Sequence, residues 1–155
     1  MIQKSLVLFS LLFLFGCSSS EEEEVVSFEE QLEIDLDIIA KFLKDNNLVA
    51  QSTASGLHYI IDTEGSGEFP TIQSNVTVNY KGYFVNGDIF DQTTTRPATF
   101  PLNGVIAGWQ EGIPLFKKGG KGRLIIPSYL GYGSNRQNGI PRNSVLVFDI
   151  ELIDF

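Results

Sequence analysis

The sequence predicts an α+β domain, in which a mostly antiparallel sheet is accompanied by one short helix and preceded by a longer N-terminal helix. Three observations support this prediction. Apolar and polar residues alternate in several short segments after residue 56, which is the period of a half-buried strand. The dipeptide Asn86-Gly87 lies between two such segments and favours a type I′ hairpin turn. Residues 27–47 instead have apolar residues at steps of three and four, the period of an amphipathic helix.

The predicted N-terminal helix spans residues 27–47. Ser27 can cap it, and Glu30 three residues later completes a capping box. Its apolar residues form two stripes, one of Phe28, Leu32, Leu36, Ile39 and Leu43 and another of Ile34, Ile38 and Phe42. One stripe can pack on the chain's own domain. The other packs there too or meets a second copy, so a homodimer through this helix stays open.

The strands follow in order along the rest of the chain. Alternation and turn residues predict strands at 57–62, 76–85, 89–92, 98–102, 122–127 and 145–153. A short helix is predicted from Val105 to Phe116, broken near Pro114, and residues 117–120 are predicted to form a turn. The faces follow from the period of two, which groups Val76 with Val78 and Tyr80, and Leu146 with Phe148, Ile150 and Leu152.

The first residues have the pattern of a targeting segment. Lys4 precedes an apolar run at 6–15, which is short for a bilayer span but suits the core of a signal peptide. Leu14-Phe15-Gly16-Cys17 resembles a bacterial lipobox, in which Cys17 would be lipidated; the alternative is an ordinary cleaved signal. Cys17 is the only cysteine of the chain, which favours the lipobox. We therefore expect a lipid-anchored protein of the bacterial cell envelope, at the outer membrane and facing the periplasm or the outside.

Negative charge is concentrated after the cysteine. Residues 21–47 hold ten acidic and two basic side chains, a net charge of −8, whereas residues 48–155 hold nine and eight, a net charge of −1. The Ser and Glu tract at 18–24 predicts an acidic tether, and it also resembles a surface-export signal of lipoproteins. The nearly neutral domain argues against a nucleic-acid partner. The predicted division is 1–16 signal peptide, 17–26 tether, 27–50 helical segment and 51–155 domain.

Five aromatic-rich segments are distributed over residues 78–152. They read Val-Asn-Tyr-Lys-Gly (78–82), Asp-Ile-Phe-Asp (88–91), Val-Ile-Ala-Gly-Trp (105–109), Tyr-Leu-Gly-Tyr-Gly (129–133) and Val-Phe-Asp-Ile-Glu-Leu (147–152). Their order and spacing resemble the FKBP-type peptidyl-prolyl isomerases, from about Gly56 to Phe155. The resemblance implies a strongly curved antiparallel sheet wrapped around the short helix. It also implies an active site of dispersed aromatic residues that uses no nucleophile, no metal and no cofactor.

The resemblance assigns nine residues to that site. Those that would be catalytic are Asp91, Tyr132 and Phe148. Those that would bind the substrate, a proline-containing polypeptide, are Tyr80, Phe90, Val105, Ile106, Trp109 and Ile140. Each also has a plain structural interpretation, since aromatic residues on strands and a Trp on a short helix are ordinarily core, and Asp91 could cap a turn.

The implied roles follow from the reaction. Trp109 would form the floor of a proline pocket with aromatic walls, and Ile140 would close it. The Ile106 N–H and the Tyr132 hydroxyl would each donate to a substrate carbonyl, while Asp91 would lie at the rim, held by Tyr80. Such a pocket would serve folding of envelope or exported proteins.

The sequence departs from the family pattern at two places. Ala98 takes a position where many members have an aromatic pocket residue, so Phe100 is expected in the core and the pocket is expected to be more open there. The loop 134–140 is polar and about one residue shorter than in the best-known members. His58, the only histidine, is expected on a strand surface, and with no other histidine the chain offers no metal site of that kind.

Two other functions remain open on the sequence alone. A binding module could hold proline-containing segments without useful turnover, as Ala98 and the short loop would permit. A small-ligand barrel would instead carry an apolar ligand. The glycine-rich run at 119–122 precedes a strand rather than a helix, which argues against a phosphate-binding loop.

Overall fold

The computed structural model describes residues 26–137 and 139–155. The predicted signal peptide, Cys17 and nearly all of the tether lie outside these ranges. The helices are α1 (Phe28–Asp45) and α2 (Ala107–Gly112). The strands are β1 (Gln51–Ser52), β2 (His58–Thr63), β3 (Asn75–Phe84), β4 (Ile89–Gln92), β5 (Ala98–Pro101), β6 (Lys121–Ile126) and β7 (Leu146–Asp154). Short 3-10 turns occupy Leu102–Gly104, Ile113–Leu115 and Ser128–Leu130.

The strands form a single antiparallel sheet of seven strands in the order β1-β2-β6-β7-β3-β4. Strand β5 pairs with the first part of β3, on the edge that β4 occupies further along. The last strand in sequence, β7, therefore lies near the middle of the sheet. This arrangement confirms the predicted α+β class, with a short helix on one face of an antiparallel sheet and an N-terminal helix on the other.

The main core lies between the sheet and α2. Alternate residues of β7 point into it, namely Leu146, Phe148, Ile150 and Leu152, as do Val76 and Val78 of β3. This confirms the predicted faces. Helix α2 approaches β6 closely, because a Cβ atom at Gly108 or Gly112 would lie 2.5 Å from a side-chain atom of Ile126 or Leu124.

Helix α1 packs on the opposite face of the sheet. Ile39 and Phe42 join Ile125, Val145 and Val147 in a second buried cluster. The two predicted stripes thus both contribute to packing on the chain's own domain, while Ile34 remains 42% exposed. The predicted cap is present, since the Ser27 Oγ accepts from the Glu30 N–H at 3.2 Å.

Two local predictions were wrong. The hairpin after β3 is not type I′. That turn requires a positive φ at both central residues, and here only Gly87 has one, 93°. The Phe84 carbonyl accepts from the Gly87 N–H, and the Phe84 N–H donates to the Asp88 carbonyl, so the loop has three residues and ends in a left-handed glycine. The predicted start of the next helix at Val105 is also wrong, since α2 begins at Ala107, whereas the predicted break near Pro114 is present as a 3-10 turn that begins at Ile113.

Candidate active site

A cavity of about 590 Å³ opens beside α2. Its lining contains every one of the nine residues that the sequence assigned to the site: Tyr80, Phe90, Asp91, Val105, Ile106, Trp109, Tyr132, Ile140 and Phe148. They come from β3, β4, β7, α2 and the connecting loops, so only the folded sheet brings them together. The lining also includes Phe100, Gly104 and Gln137, to which the sequence assigned no site role.

Aromatic rings meet at steep angles around the cavity. Trp109 has three such neighbours: the centroids of Tyr80, Phe148 and Phe100 lie 5.2, 5.3 and 5.8 Å from it, at interplanar angles of 85°, 80° and 83°. Phe90 meets Phe148 in the same way, at 5.5 Å and 84°. Edge-to-face contacts are favourable for aromatic quadrupoles, and they hold rings in fixed orientations. The cavity is therefore lined by aromatic rings that pack on one another edge to face.

Trp109 lines the cavity and is buried, with 4% of its surface exposed. Its indole Nε1 is enclosed and has no nitrogen or oxygen partner among the described residues. Burying such a donor without a partner has a cost. Trp109 carries this cost at a position that lines the cavity.

A β-bulge brings Phe90 and Asp91 to the same cavity, although neighbouring strand residues normally point to opposite faces. The register between β3 and β4 shifts there: Gly82 pairs with Asp91, but Tyr83 pairs with Ile89, leaving Phe90 as the extra residue. Gly82 has a matching role, because a Cβ atom there would lie 2.7 Å from Phe90 and 2.8 Å from Phe148. The bulge and the glycine together shape this wall.

Few polar side chains line the cavity, and two of them bind each other. The Tyr80 hydroxyl donates to Asp91 Oδ2 at 2.6 Å. Burial, and then the hydrogen bond to Asp91, raises the pKa of Tyr80 well above its usual range. Burial together with the Asp91 charge also raises the pKa of Tyr132. Both hydroxyls consequently stay protonated donors across the physiological pH range.

Two further donors are available to a bound molecule. In the described ranges, the Tyr132 hydroxyl has no hydrogen-bond partner, and the Ile106 N–H donates to no protein acceptor. The loop before α2 is held in place because Gln110 Nε2 donates to the Val105 carbonyl at 2.7 Å. The cavity thus combines apolar walls with a small set of fixed donors.

Phe100 packs against the main core, as expected, but it also has a place in the cavity that was not expected. It is half-buried and lines the cavity, with its ring centroid 6.2 Å from Tyr80 and 5.8 Å from Trp109. Ala98 does not line the cavity, so Phe100 supplies the aromatic surface on that side. Ala98 and Phe100 are two positions apart and therefore share one face of the strand, and this spacing could have placed Phe100 at the cavity. Gln137, exposed in the short loop, offered no such signal.

A family model described as FKBP-type peptidyl-prolyl cis-trans isomerase matches residues 66–153, more than half of the chain. The chain belongs to this family. It is 57% identical over 105 residues to the isomerase FkpA of Buchnera aphidicola subsp. Schizaphis graminum, covering 66% of the chain and 42% of the relative. FkpA of Escherichia coli strain K12 is 48% identical over 116 residues, 74% of this chain and 42% of the relative. The chain thus spans less than half the length of these curated relatives.

Solved structures agree with this assignment. A peptidyl-prolyl cis-trans isomerase of Pseudomonas syringae pv. tomato has a TM-score of 0.70 at 33% identity, with 83% of this chain and 95% of the other covered. The crystal structure of E. coli FkpA has a TM-score of 0.68 at 41% identity, with 81% of this chain and 63% of the other covered.

Among the described residues of the chain there is no group of His, Cys, Asp and Glu that could hold a metal ion.

Proposed function

We propose that the chain is a peptidyl-prolyl cis-trans isomerase acting on proline-containing polypeptides. The observation that supports this most strongly is the convergence of nine residues from separate elements on one cavity, which combines aromatic rings with a few hydrogen-bond donors. Family membership supports the same activity. The roles of the individual residues are part of this proposal.

The reaction needs no covalent chemistry. Rotation about an X–Pro bond has a barrier of about 18–20 kcal/mol, because amide resonance must be broken. The twisted amide has less charge separation than the planar one, so an apolar cavity that excludes water favours the twisted form. We propose that the proline ring stacks on Trp109 between Phe90 and Phe148, which provide that environment.

The donors orient the polypeptide around the twisting bond. The Ile106 N–H and the Tyr132 hydroxyl would each bind a carbonyl next to the proline, while Asp91, through its bond from Tyr80, fixes the rim. Val105 and Ile140 would close the sides. Positioning of this kind contributes to rate because it removes unproductive arrangements of the bound chain.

The test is the cis-to-trans conversion of a short X–Pro peptide by the chain from Ser18 onward. Tyr80→Phe and Tyr83→Phe form a matched pair, because both lie on β3 and only Tyr80 lines the cavity. We expect Tyr80→Phe and Asp91→Ala to lower kcat/KM, and Tyr83→Phe to leave it unchanged. Wild-type protein that is folded but gives no rate above background would contradict the proposal.

Peptide binding can be followed separately from turnover. Trp109 is the only tryptophan of the chain, so its fluorescence reports directly on the cavity floor. Binding of the X–Pro peptide without catalysis would make the chain a binding module for proline-containing segments.

We further propose that the protein serves folding of exported proteins in the bacterial cell envelope, with a lipid on Cys17. The support is the lipobox-like sequence before Cys17 and the acidic tether after it. None of the helices within 26–137 and 139–155 is long and apolar enough to cross a membrane. Mass spectrometry of the protein isolated from membranes should find a lipidated Cys17, and Cys17→Ser should release the protein from them. Protease treatment of intact cells separates a periplasmic from a surface-facing location.

Self-association through α1 stays a prediction. The domain takes up most of the apolar residues of this helix, and Ile34 and Phe28 are the large ones left substantially exposed, at 42% and 55%. Light scattering of the wild type and of Ile34→Glu would test a dimer. A monomer in both cases would contradict it.

A further inference from the structure

We propose that Asp35 of α1 is a positioning residue for Tyr132, acting through the turn at residues 128–133. Helix α1 precedes the part of the chain that the family model matches, residues 66–153. The inference rests on the proposed function, because it concerns the same cavity. It makes α1 a support of the active site rather than only a spacer before it.

Asp35 is fully buried at the contact between α1 and the turn. Its Oδ2 accepts from the Ser128 N–H at 2.7 Å, and its Oδ1 accepts from Gln31 Nε2 at 2.9 Å. A carboxylate withdrawn from water is costly unless its oxygens are hydrogen-bonded, and here both are. Asp35 and Ser128 are 93 positions apart in the sequence, so this bond fixes the helix to one particular point of the domain.

Ser128 transmits this attachment to the neighbours of Tyr132. Its carbonyl accepts from the Gly131 N–H at 2.9 Å and from the Gly133 N–H at 2.8 Å. These two glycines flank Tyr132 in the sequence. The Ser128 N–H therefore binds Asp35, and the Ser128 carbonyl binds both neighbours of Tyr132. Movement of Ser128 would displace the hydroxyl that is proposed to bind the substrate carbonyl.

Tyr129 adds a second attachment of the turn to α1. Its ring meets Phe28 edge to face, with centroids 5.1 Å apart at 83°. Its hydroxyl donates to the Ser55 carbonyl at 2.5 Å, and the Ser55 hydroxyl lies 2.8 Å from a Glu111 carboxylate oxygen on α2. The turn is thereby connected to the helix that carries Trp109. Tyr132 and the cavity floor share one hydrogen-bonded frame that begins at α1.

The experiment compares two substitutions on α1 with matched stability. Asp35→Ala removes the bond to Ser128, whereas Ile39→Val or Ile39→Ala weakens the packing of α1 on the sheet without touching the turn. Of these two Ile39 substitutions, the experiment uses the one whose unfolding midpoint agrees with that of Asp35→Ala, and this is called the Ile39 variant. Both are assayed with the X–Pro peptide in the chain from Ser18 onward, at a temperature where both are folded.

We expect Asp35→Ala to lower kcat/KM about five-fold. The Tyr132 hydroxyl would no longer be well placed to donate to the substrate, and a loss of this size is typical of one neutral hydrogen bond. Asp35→Asn should recover most of the loss, because its amide oxygen can still accept from the Ser128 N–H. The Ile39 variant should match the wild type. Equal losses in the Asp35→Ala and Ile39 variants, or no loss in Asp35→Ala, would overturn the proposal.

A double-mutant cycle tests whether Asp35 acts through Tyr132. Tyr132→Phe removes the hydroxyl that the turn is proposed to position. In that background Asp35→Ala should have little further effect on kcat/KM. Fully additive losses would show that Asp35 acts by another route and would overturn the proposal.

Hydrogen exchange gives a readout that does not depend on catalysis. The Gly131 and Gly133 amides should exchange faster in Asp35→Ala than in the Ile39 variant, because their acceptor Ser128 is no longer fixed. Equal exchange in the two variants would contradict the proposal. If the wild type proves inactive, the proposed function fails, while these exchange rates still decide whether Asp35 holds the turn.

Discussion

The two faces of the sheet bury side chains from the same strands and use them differently. Towards α2, Phe148 and its aromatic neighbours meet edge to face and leave a cavity open. Towards α1, the adjacent residue Val147 packs with Ile125 and Ile39 in a small closed cluster. The two faces thus differ in what they enclose: a cavity lined by aromatic rings on one side, and a buried cluster made mostly of aliphatic side chains on the other.

The polar residues follow the same division. On the cavity side Asp91 is exposed, and its hydrogen-bond partner is Tyr80. On the other side Asp149 accepts from Arg123 at 2.7 Å, lies 3.1 Å from Lys81, and accepts from the Tyr83 hydroxyl. Burial alone would raise the pKa of Asp149, but the bonds from Arg123 and Lys81 lower it overall. Asp149 thus has its charge compensated by two basic neighbours, while Asp91 is a carboxylate of the cavity lining whose partner is a neutral hydroxyl.

Removing the ring of Phe148 should have the largest effect. Phe148→Ala opens the contact with Trp109 and Phe90, and should lower the free energy of unfolding by about 3–5 kcal/mol and abolish measurable isomerisation. Denaturant unfolding and the peptide assay measure the two effects. Val147→Ala, one residue along on the other face, should lower stability and keep the activity. Loss of activity in both variants would erase the distinction between the faces.

Ile39→Ala tests the α1 face by itself. It should cost about 2–5 kcal/mol of unfolding free energy, because the side chain is fully buried in the closed cluster. Below the unfolding transition its kcat/KM should equal that of the wild type. Ile34→Ala on the exposed side of the helix is the control and should change stability by less than about 0.5 kcal/mol. A large drop in activity at low temperature would contradict this division of roles.

Gly82→Ala tests the wall built by the bulge. The added methyl group would force the Phe90 and Phe148 rings to shift, at a cost of about 1–3 kcal/mol. Peptide affinity, followed by Trp109 fluorescence, should fall because the cavity changes shape. Unchanged affinity and stability would mean that the rings move aside freely.

The smallest expected effect is at alkaline pH. Burial, assisted by Asp149 and opposed by Arg123, raises the pKa of Tyr83 to about 12. The folded chain then binds protons that the unfolded chain has released, so stability should fall as the pH rises above about 10 and continue to fall to about 12. Denaturant unfolding across this range should show a shallower decline for Tyr83→Phe than for the wild type. An identical decline would show that Tyr83 does not contribute.

The sequence predicts the regular parts of this molecule well. Period-two alternation placed Phe148 and Leu152 on the correct face, and period 3.6 found α1, because both patterns depend on local geometry alone. The resemblance supplied the nine cavity residues, of which eight come from five separate segments and Ile140 from the loop between the last two, and they share no local signal.

Irregular features could not be predicted in this way. The bulge at Phe90 depends on pairing between two strands, so simple alternation would place Asp91 outside the cavity. The turn at Gly87 has three residues, which Asn86-Gly87 alone does not distinguish from a two-residue turn. The burial of Asp35 results from a contact across 93 positions, and in the sequence it is one acidic residue among many on α1.

The placement of β7 has a consequence for the order in which the chain folds. Helix α1 is made early, but the buried part of its contact surface, Ile125, Ser128, Val145 and Val147, is made late. The sheet itself cannot join β6 to β3 until β7 is inserted between them. A helix of 18 residues is only marginally stable alone. We therefore expect much of the apolar side of α1 to stay uncovered until β7 is in place, and folding to end in a late step that joins α1 to β6 and β7.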